Sequence, residues 1–83
     1  MYDVVAFKYL GGYILEIAFE NGERGEIDLK DYAQKGGIFE PFLDIEYFKR
    51  GALNKDLGTI CWPNGADIAP ETLYRLAKTP GLR

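Results

Sequence analysis

Tyr13-Ile14-Leu15-Glu16-Ile17-Ala18-Phe19-Glu20-Asn21-Gly22-Glu23-Arg24-Gly25-Glu26-Ile27-Asp28-Leu29 decides how this chain folds. Its first half alternates, with Tyr13, Leu15, Ile17 and Phe19 on one side and Glu16 and Glu20 on the other, the period of two of a half-buried strand. Its second half alternates again, through Ile27 and Leu29. Parity settles the loop between them, because residues paired across an antiparallel ladder share one face of the sheet. A two-residue Asn21-Gly22 loop would set Ile17 against Glu26 and Leu15 against Asp28, which buries carboxylates. A three-residue loop, Glu20-Asn21-Gly22, with Gly22 left-handed in a bulge, sets Ile17 against Gly25, Leu15 against Ile27 and Tyr13 against Leu29. The apolar face is then continuous, so the three-residue loop is predicted.

Working outward, Asp3 to Tyr9 is rich in β-branched and aromatic residues and is separated from this hairpin by Gly11-Gly12, which predicts a first hairpin. Downstream, Asp28 to Gly37 is polar. Phe39, Phe42 and Leu43 then fall at i, i+3, i+4, as on a short helical turn with Pro41 early in it. Asp44 is placed to cap a helix over Ile45 to Arg50 that turns Tyr47 and Phe48 inward and stops at Gly51. Ala52-Leu53-Asn54 and Gly58 to Trp62 read as a hairpin around Lys55-Asp56. Pro70 opens a last helix over Glu71 to Lys78, with Leu73, Leu76 and Ala77 as its apolar stripe and Thr79-Pro80-Gly81 as its end. The order β-β-β-α-β-β-α predicts an α+β fold, a small antiparallel sheet with short helices packed on one face. Residues 1–83 read as a single domain.

At 83 residues, such a domain needs nearly all of its large apolar side chains for its core, which argues against a deep substrate cavity. A net charge of -3, with scattered basic residues, disfavours autonomous binding to nucleic acid. One cysteine and no histidine exclude an intrachain disulfide and remove the commonest metal ligand and general base. No signal peptide or membrane span is legible near the start or elsewhere, so the cytoplasm is the expected compartment, with no membrane partner.

Chemistry-bearing residues each meet a plainer explanation. Trp62-Pro63-Asn64-Gly65-Ala66-Asp67 is the most distinctive run, and Trp62, Asn64 and Asp67 are candidates for a binding loop. The competing reading makes Trp62 core, Asn64-Gly65 a turn, and Asp67 a carboxylate bonded to backbone N–H groups ahead of the last helix. Cys61 lies in an apolar strand and is expected to be a buried structural thiol. The carboxylates Asp28, Asp31, Asp44, Glu46, Asp67 and Glu71 match no metal-loop spacing. No catalytic residue, metal ligand or cofactor is assigned. Tyr2, Tyr9, Tyr13 and Tyr32 exceed the obvious needs of a small core, and their clustering at the surface would mark an interface.

The far side of the sheet offers the other candidate surface. Opposite Tyr13, Leu15, Ile17 and Phe19 the second strand presents Ile14, Glu16, Ala18 and Glu20, and the first strand is expected to add Val4 and Ala6 beside Lys8. Such a face is too polar for a second core and apolar enough for a modest interface, with Ile14 and Val4 central.

Phe19-Glu-Asn-Gly-Glu, Asp28-Leu29, Phe39-Glu-Pro-Phe-Leu-Asp, Phe48, and above all Leu57-Gly-Thr-Ile-Cys-Trp-Pro-Asn-Gly-Ala-Asp-Ile-Ala-Pro-Glu-Thr-Leu-Tyr resemble the bacterial family catalogued as domain of unknown function 2442. The resemblance runs from residue 1 to about 77. It implies a small cytosolic prokaryotic protein, often encoded beside another small protein in the manner of a toxin–antitoxin pair. Some relatives add a C-terminal helix-turn-helix for DNA, which is not found among these residues. The leading expectation is therefore a protein-interaction module, an antitoxin-like member of a two-protein system, binding a protein partner or itself as a homodimer. The alternative is a small metal-dependent enzyme or ligand-binding domain built on clustered carboxylates such as Asp28, Asp67 and Glu71.

Overall fold

Ile17 pairs with Gly25 and Leu15 with Ile27 in the second hairpin, the register that parity required. Its loop closes through Gly22 N–H donating to the Phe19 carbonyl at 3.0 Å and Phe19 N–H donating to the Glu23 carbonyl at 2.8 Å. Gly22 sits at φ 88°, in the left-handed region open to glycine. A computed structural model describes residues 2–78 of the chain; the predicted helix end at Thr79-Pro80-Gly81 lies outside them.

The strands β1 (Val4–Gly11), β2 (Ile14–Phe19) and β3 (Arg24–Asp28) form an antiparallel sheet in the order β1-β2-β3. Two 3-10 segments follow, Lys30–Gln34 and Gly37–Leu43, and then the one-turn helix α1 (Ile45–Phe48). Strands β4 (Ala52–Asn54) and β5 (Thr59–Cys61) make a separate two-stranded sheet, and helix α2 (Pro70–Ala77) closes the described chain. The α+β architecture matches the sequence reading. The strands divide between two sheets, and Val4 N–H donating to the Gly58 carbonyl at 2.8 Å ties them together.

One face of the large sheet holds the core. Leu15, Ile17, Phe19 and Ile27 are buried there, against Phe42, Phe48, Trp62, Ile68 and Leu73 from the other elements. Aromatic rings carry much of the contact: Phe48 meets Tyr13 edge-on at 4.9 Å and Phe42 at 5.1 Å, and Phe19 meets Tyr74 at 5.1 Å. These are the tilted and edge-to-face geometries that the ring quadrupole favours. Helix α2 approaches β3 closely at Gly25, where an added Cβ would stand 3.0 Å from both the Cβ and the carbonyl oxygen of Ala77.

Three expectations are corrected. Val4 is 3% exposed and belongs to the core. The strand register slips between Val4 and Ala6, with Val4 opposite Phe19 and Ala6 opposite Ala18. Val5 is thus an extra residue in a bulge, which breaks the simple alternation on which Val4 was placed outside. Leu43 is 65% exposed, because its segment is a 3-10 helix. A repeat of three residues per turn stacks Phe39 over Phe42 and rotates Leu43 outward, whereas an α-helix would have gathered all three. Finally, the tyrosines form no common exposed cluster. Tyr9 and Tyr13 pack on Phe48, Tyr32 on Phe39, and Tyr2 stacks on Tyr74 at 4.0 Å. The Tyr13 hydroxyl donates to the Phe42 carbonyl, which fixes the second 3-10 segment over the sheet.

Candidate functional site

The Trp62–Asp67 run is built into the fold from both ends. Trp62 is buried, its indole N–H donates to the Phe48 carbonyl at 2.8 Å, and its ring lies 4.6 Å from that of Phe42. A Cβ at Gly51 would come within 2.8 Å of the indole, so glycine there is what lets α1 and β4 close over the ring. Asn64 spends its polar groups on the scaffold. Its amide nitrogen donates to the Ile38 carbonyl at 2.9 Å, its side-chain oxygen accepts from Ala66 N–H at 3.0 Å, and its own N–H donates to the Tyr47 hydroxyl at 3.0 Å. Thr59, buried nearby, donates its hydroxyl to the Ile68 carbonyl at 2.6 Å. The turn is a clamp between the 3-10 segment, α1 and β5.

Asp67 does not cap the last helix. The N-cap position is Ala69, with no side-chain hydrogen bond, and Pro70 at the first helical position removes one of the N–H groups that a cap would satisfy. Asp67 instead forms a backbone bridge with Cys61 and leaves its side chain exposed. Cys61 itself is half-buried, less enclosed than its apolar neighbours suggested. Burial, and secondarily the Asp67 carboxylate, push its thiol pKa up. A raised pKa leaves less thiolate, the reverse of what a nucleophile needs.

The remaining carboxylates are dispersed in local turns. Asp28 accepts from Lys30 N–H at 2.9 Å and Asp44 from Glu46 N–H at 3.0 Å, the second capping α1 as the sequence predicted. Among the described residues no three His, Cys, Asp or Glu side chains gather where they would hold a metal ion. The structure does not bring Asp28, Asp67 and Glu71 together as such a set.

The open face of the three-stranded sheet is different in kind. Ladder positions place Ala6, Ala18 and Arg24 in one cross-strand row and Lys8, Glu16 and Glu26 in the next. Ile14 follows on β2, opposite Gly11 and Asp28, and is half-buried. At the two irregularities of β1, Val5 and Leu10 are exposed apolar residues. Ala6, Phe7, Lys8, Glu16, Ala18 and Arg24 line a shallow, open depression of about 100 Å³. Among the described residues, Lys8, Glu16 and Arg24 enter no ion pair. Ile14 therefore stands where the sequence placed it, whereas Val4 is withdrawn into the core. Sequence reasoning missed Arg24 and Val5. The same parity that fixed the loop would have placed Arg24 beside Ala18, but no pattern announced the bulge at Val5.

Helices and 3-10 segments on one face of a three-stranded antiparallel sheet, with the opposite face bare and mixed in polarity, define a small α+β domain that carries a surface and no enclosed catalytic centre among its described residues. Within that class, the chain belongs to the DUF2442 family of proteins of unknown function, whose profile matches residues 4–79. No curated protein and no solved structure matches it. No helix among the described residues is long and apolar enough to cross a membrane.

Proposed function

We propose that this chain is a protein-interaction module that docks a partner on the open face of its three-stranded sheet. One observation carries the reading: the same strands that bury Leu15, Ile17 and Ile27 on one side leave Ala6, Ala18 and Ile14 on the other, interleaved with Lys8, Glu16 and Arg24. Small apolar residues among charges suit the centre and rim of a modest interface. The finer role, the antitoxin-like member of a two-protein system, is supported by the family resemblance alone. Cytoplasmic residence accords with the single half-buried thiol.

Photo-crosslinking tests the docking surface. A benzophenone amino acid at position 16 should give a protein adduct in the native host, and the same group at Lys55 should give none. Adducts that form from position 65 and not from position 16 would move the interface to the Trp62–Asp67 turn and overturn the reading.

A further inference from the structure

Two alanines floor the depression on the open face. Ala6 and Ala18 are direct cross-strand partners, Arg24 continues their row on β3, and Lys8 and Glu16 are partners in the row beside them. Short side chains ringed by long charged ones make a hollow rather than a flat patch. An apolar cavity of roughly 150 Å³ admits a benzene ring. A hollow of about 100 Å³ suits an aliphatic side chain better than an aromatic one.

A second copy of this chain is a poor occupant. If two copies stack through this face about a two-fold axis along β2, Ala18 lies over Ala18 and Glu16 over Glu16. The hollows then face each other across a void, which close packing penalises, and two carboxylates meet at the centre. An axis across the strands still sets Glu16 on Glu16, because Glu16 occupies the middle of the grid, between Lys8 and Glu26 and between Ala18 and Ile14 along its own strand. The flanks of the hollow are cationic on both sides, Lys8 on β1 and Arg24 on β3, and neither cation is held in an ion pair among the described residues.

Building on the docking reading above, we propose that the hollow receives an aliphatic side chain from a different protein, flanked on that protein by carboxylates that reach Lys8 and Arg24. The aliphatic group supplies the anchor that buried hot spots provide, and the carboxylates set register.

The test uses three synthetic nine-residue peptides titrated into the isotopically labelled protein, with amide resonances followed by NMR. The first has a central Leu with Glu on both sides, the second replaces Glu with Lys, and the third replaces the Leu with Ala. The Glu-flanked Leu peptide should give saturable shifts confined to residues around 6, 8, 16, 18 and 24. The other two should bind about tenfold more weakly or worse, the scale of one lost anchor or charge contact. Ala18→Leu, which fills the hollow, should abolish the shifts. Lys8→Glu with Arg24→Glu should exchange the preference to the Lys-flanked peptide, an outcome that loss of folding cannot imitate. Equal binding of the Glu- and Lys-flanked peptides, shifts centred elsewhere, or no shift with any peptide would overturn the proposal. So would a dimer in sedimentation that Ala18→Leu dissociates. Failure of the peptides while crosslinking from position 16 persists refutes this choice of occupant alone, and loss of both refutes the docking reading as well.

Discussion

Neighbouring residues on β2 live in opposite worlds: Leu15, Ile17 and Phe19 are buried against aromatic rings, while Glu16 and Ala18 between them look onto an uncovered face. On the covered side every polar atom is accounted for by the fold. The Tyr13 hydroxyl, the Trp62 indole N–H and the Thr59 hydroxyl all end on backbone carbonyls, and among the described residues no buried side-chain polar atom lacks a partner. On the uncovered side the charges Lys8, Glu16 and Arg24 are not committed to one another. The most distinctive sequence run, Trp62 to Asp67, belongs mostly to the first world. A rare residue pattern marks a demanding packing problem as readily as it marks a binding site.

The contrast predicts a steep gradient of mutational effects. Phe48→Ala should have the largest, because Phe48 is 2% exposed and touches the rings of Tyr9, Tyr13, Phe42 and Trp62. A loss of about 3–5 kcal/mol is expected, a large part of the stability of a small domain. Urea unfolding should show a lower midpoint with little change in slope; a midpoint close to wild type would break the claim that this face is the folding core.

Trp62→Phe comes next. It keeps an aromatic ring but strips the N–H from the Phe48 carbonyl, leaving a buried acceptor unpaired at a cost of about 1–3 kcal/mol. Wild-type stability in this variant would mean that the indole is present for a surface role and not for the clamp.

Gly58 sharpens the comparison at the junction of the two sheets. It sits at φ 68°, and a Cβ there would lie 2.5 Å from the Asp3 carboxyl carbon. Gly58→Ala should cost about 1–3 kcal/mol through backbone strain and crowding together. In an Asp3→Ala background the crowding part should vanish and the strain part remain, so a double-mutant cycle should report a positive coupling. Full additivity would show that the contact with Asp3 does not matter.

Asp67 and Cys61 give a smaller effect with a definite sign. Because the folded thiol has its pKa raised by burial and by Asp67, the native state holds its proton to higher pH than the unfolded chain does. The associated stability is complete below the ordinary thiol pKa and is lost as pH rises through the folded value. Labelling of the native thiol should accelerate only on the alkaline side of the ordinary range, and Asp67→Asn should move that acceleration to lower pH. An unchanged profile would remove Asp67 from the environment of the thiol.

The smallest effects belong to the open face. Glu16→Gln should shift stability by no more than about 0.5 kcal/mol, the usual range for surface positions free of special constraints. The crosslinking yield from a neighbouring open-face position should change even so. A large loss of stability instead would show that the face is covered in the native protein.

Alternation over 13 to 19 and 24 to 29 determined the second hairpin by itself, because one slip of register would have carried every apolar side chain to the wrong side. Asp44 as a cap, Pro70 as a helix opener and the left-handed Gly22 were legible for the same local reason: each answers a backbone requirement within a few residues of itself. The family, too, was visible in the residues from Leu57 to Tyr74. Tertiary structure alone decided the rest. Period two could not reveal the bulge that turns Val4 inward and leaves Val5 out, since a bulge follows from how two strands must twist together and not from the pattern of one. Nor could spacing alone distinguish the 3-10 segment over Gly37–Leu43 from an α-helix, because Phe39 and Phe42 share a face in either and only Leu43 tells them apart. Asp67 and Asn64 exchanged their expected duties for a similar reason: which polar side chain meets which backbone group depends on elements 17 and 26 residues away, Tyr47 and Ile38. The open face became a candidate site only when the helices were found on the other side, because exposure is a property of what the rest of the chain leaves uncovered.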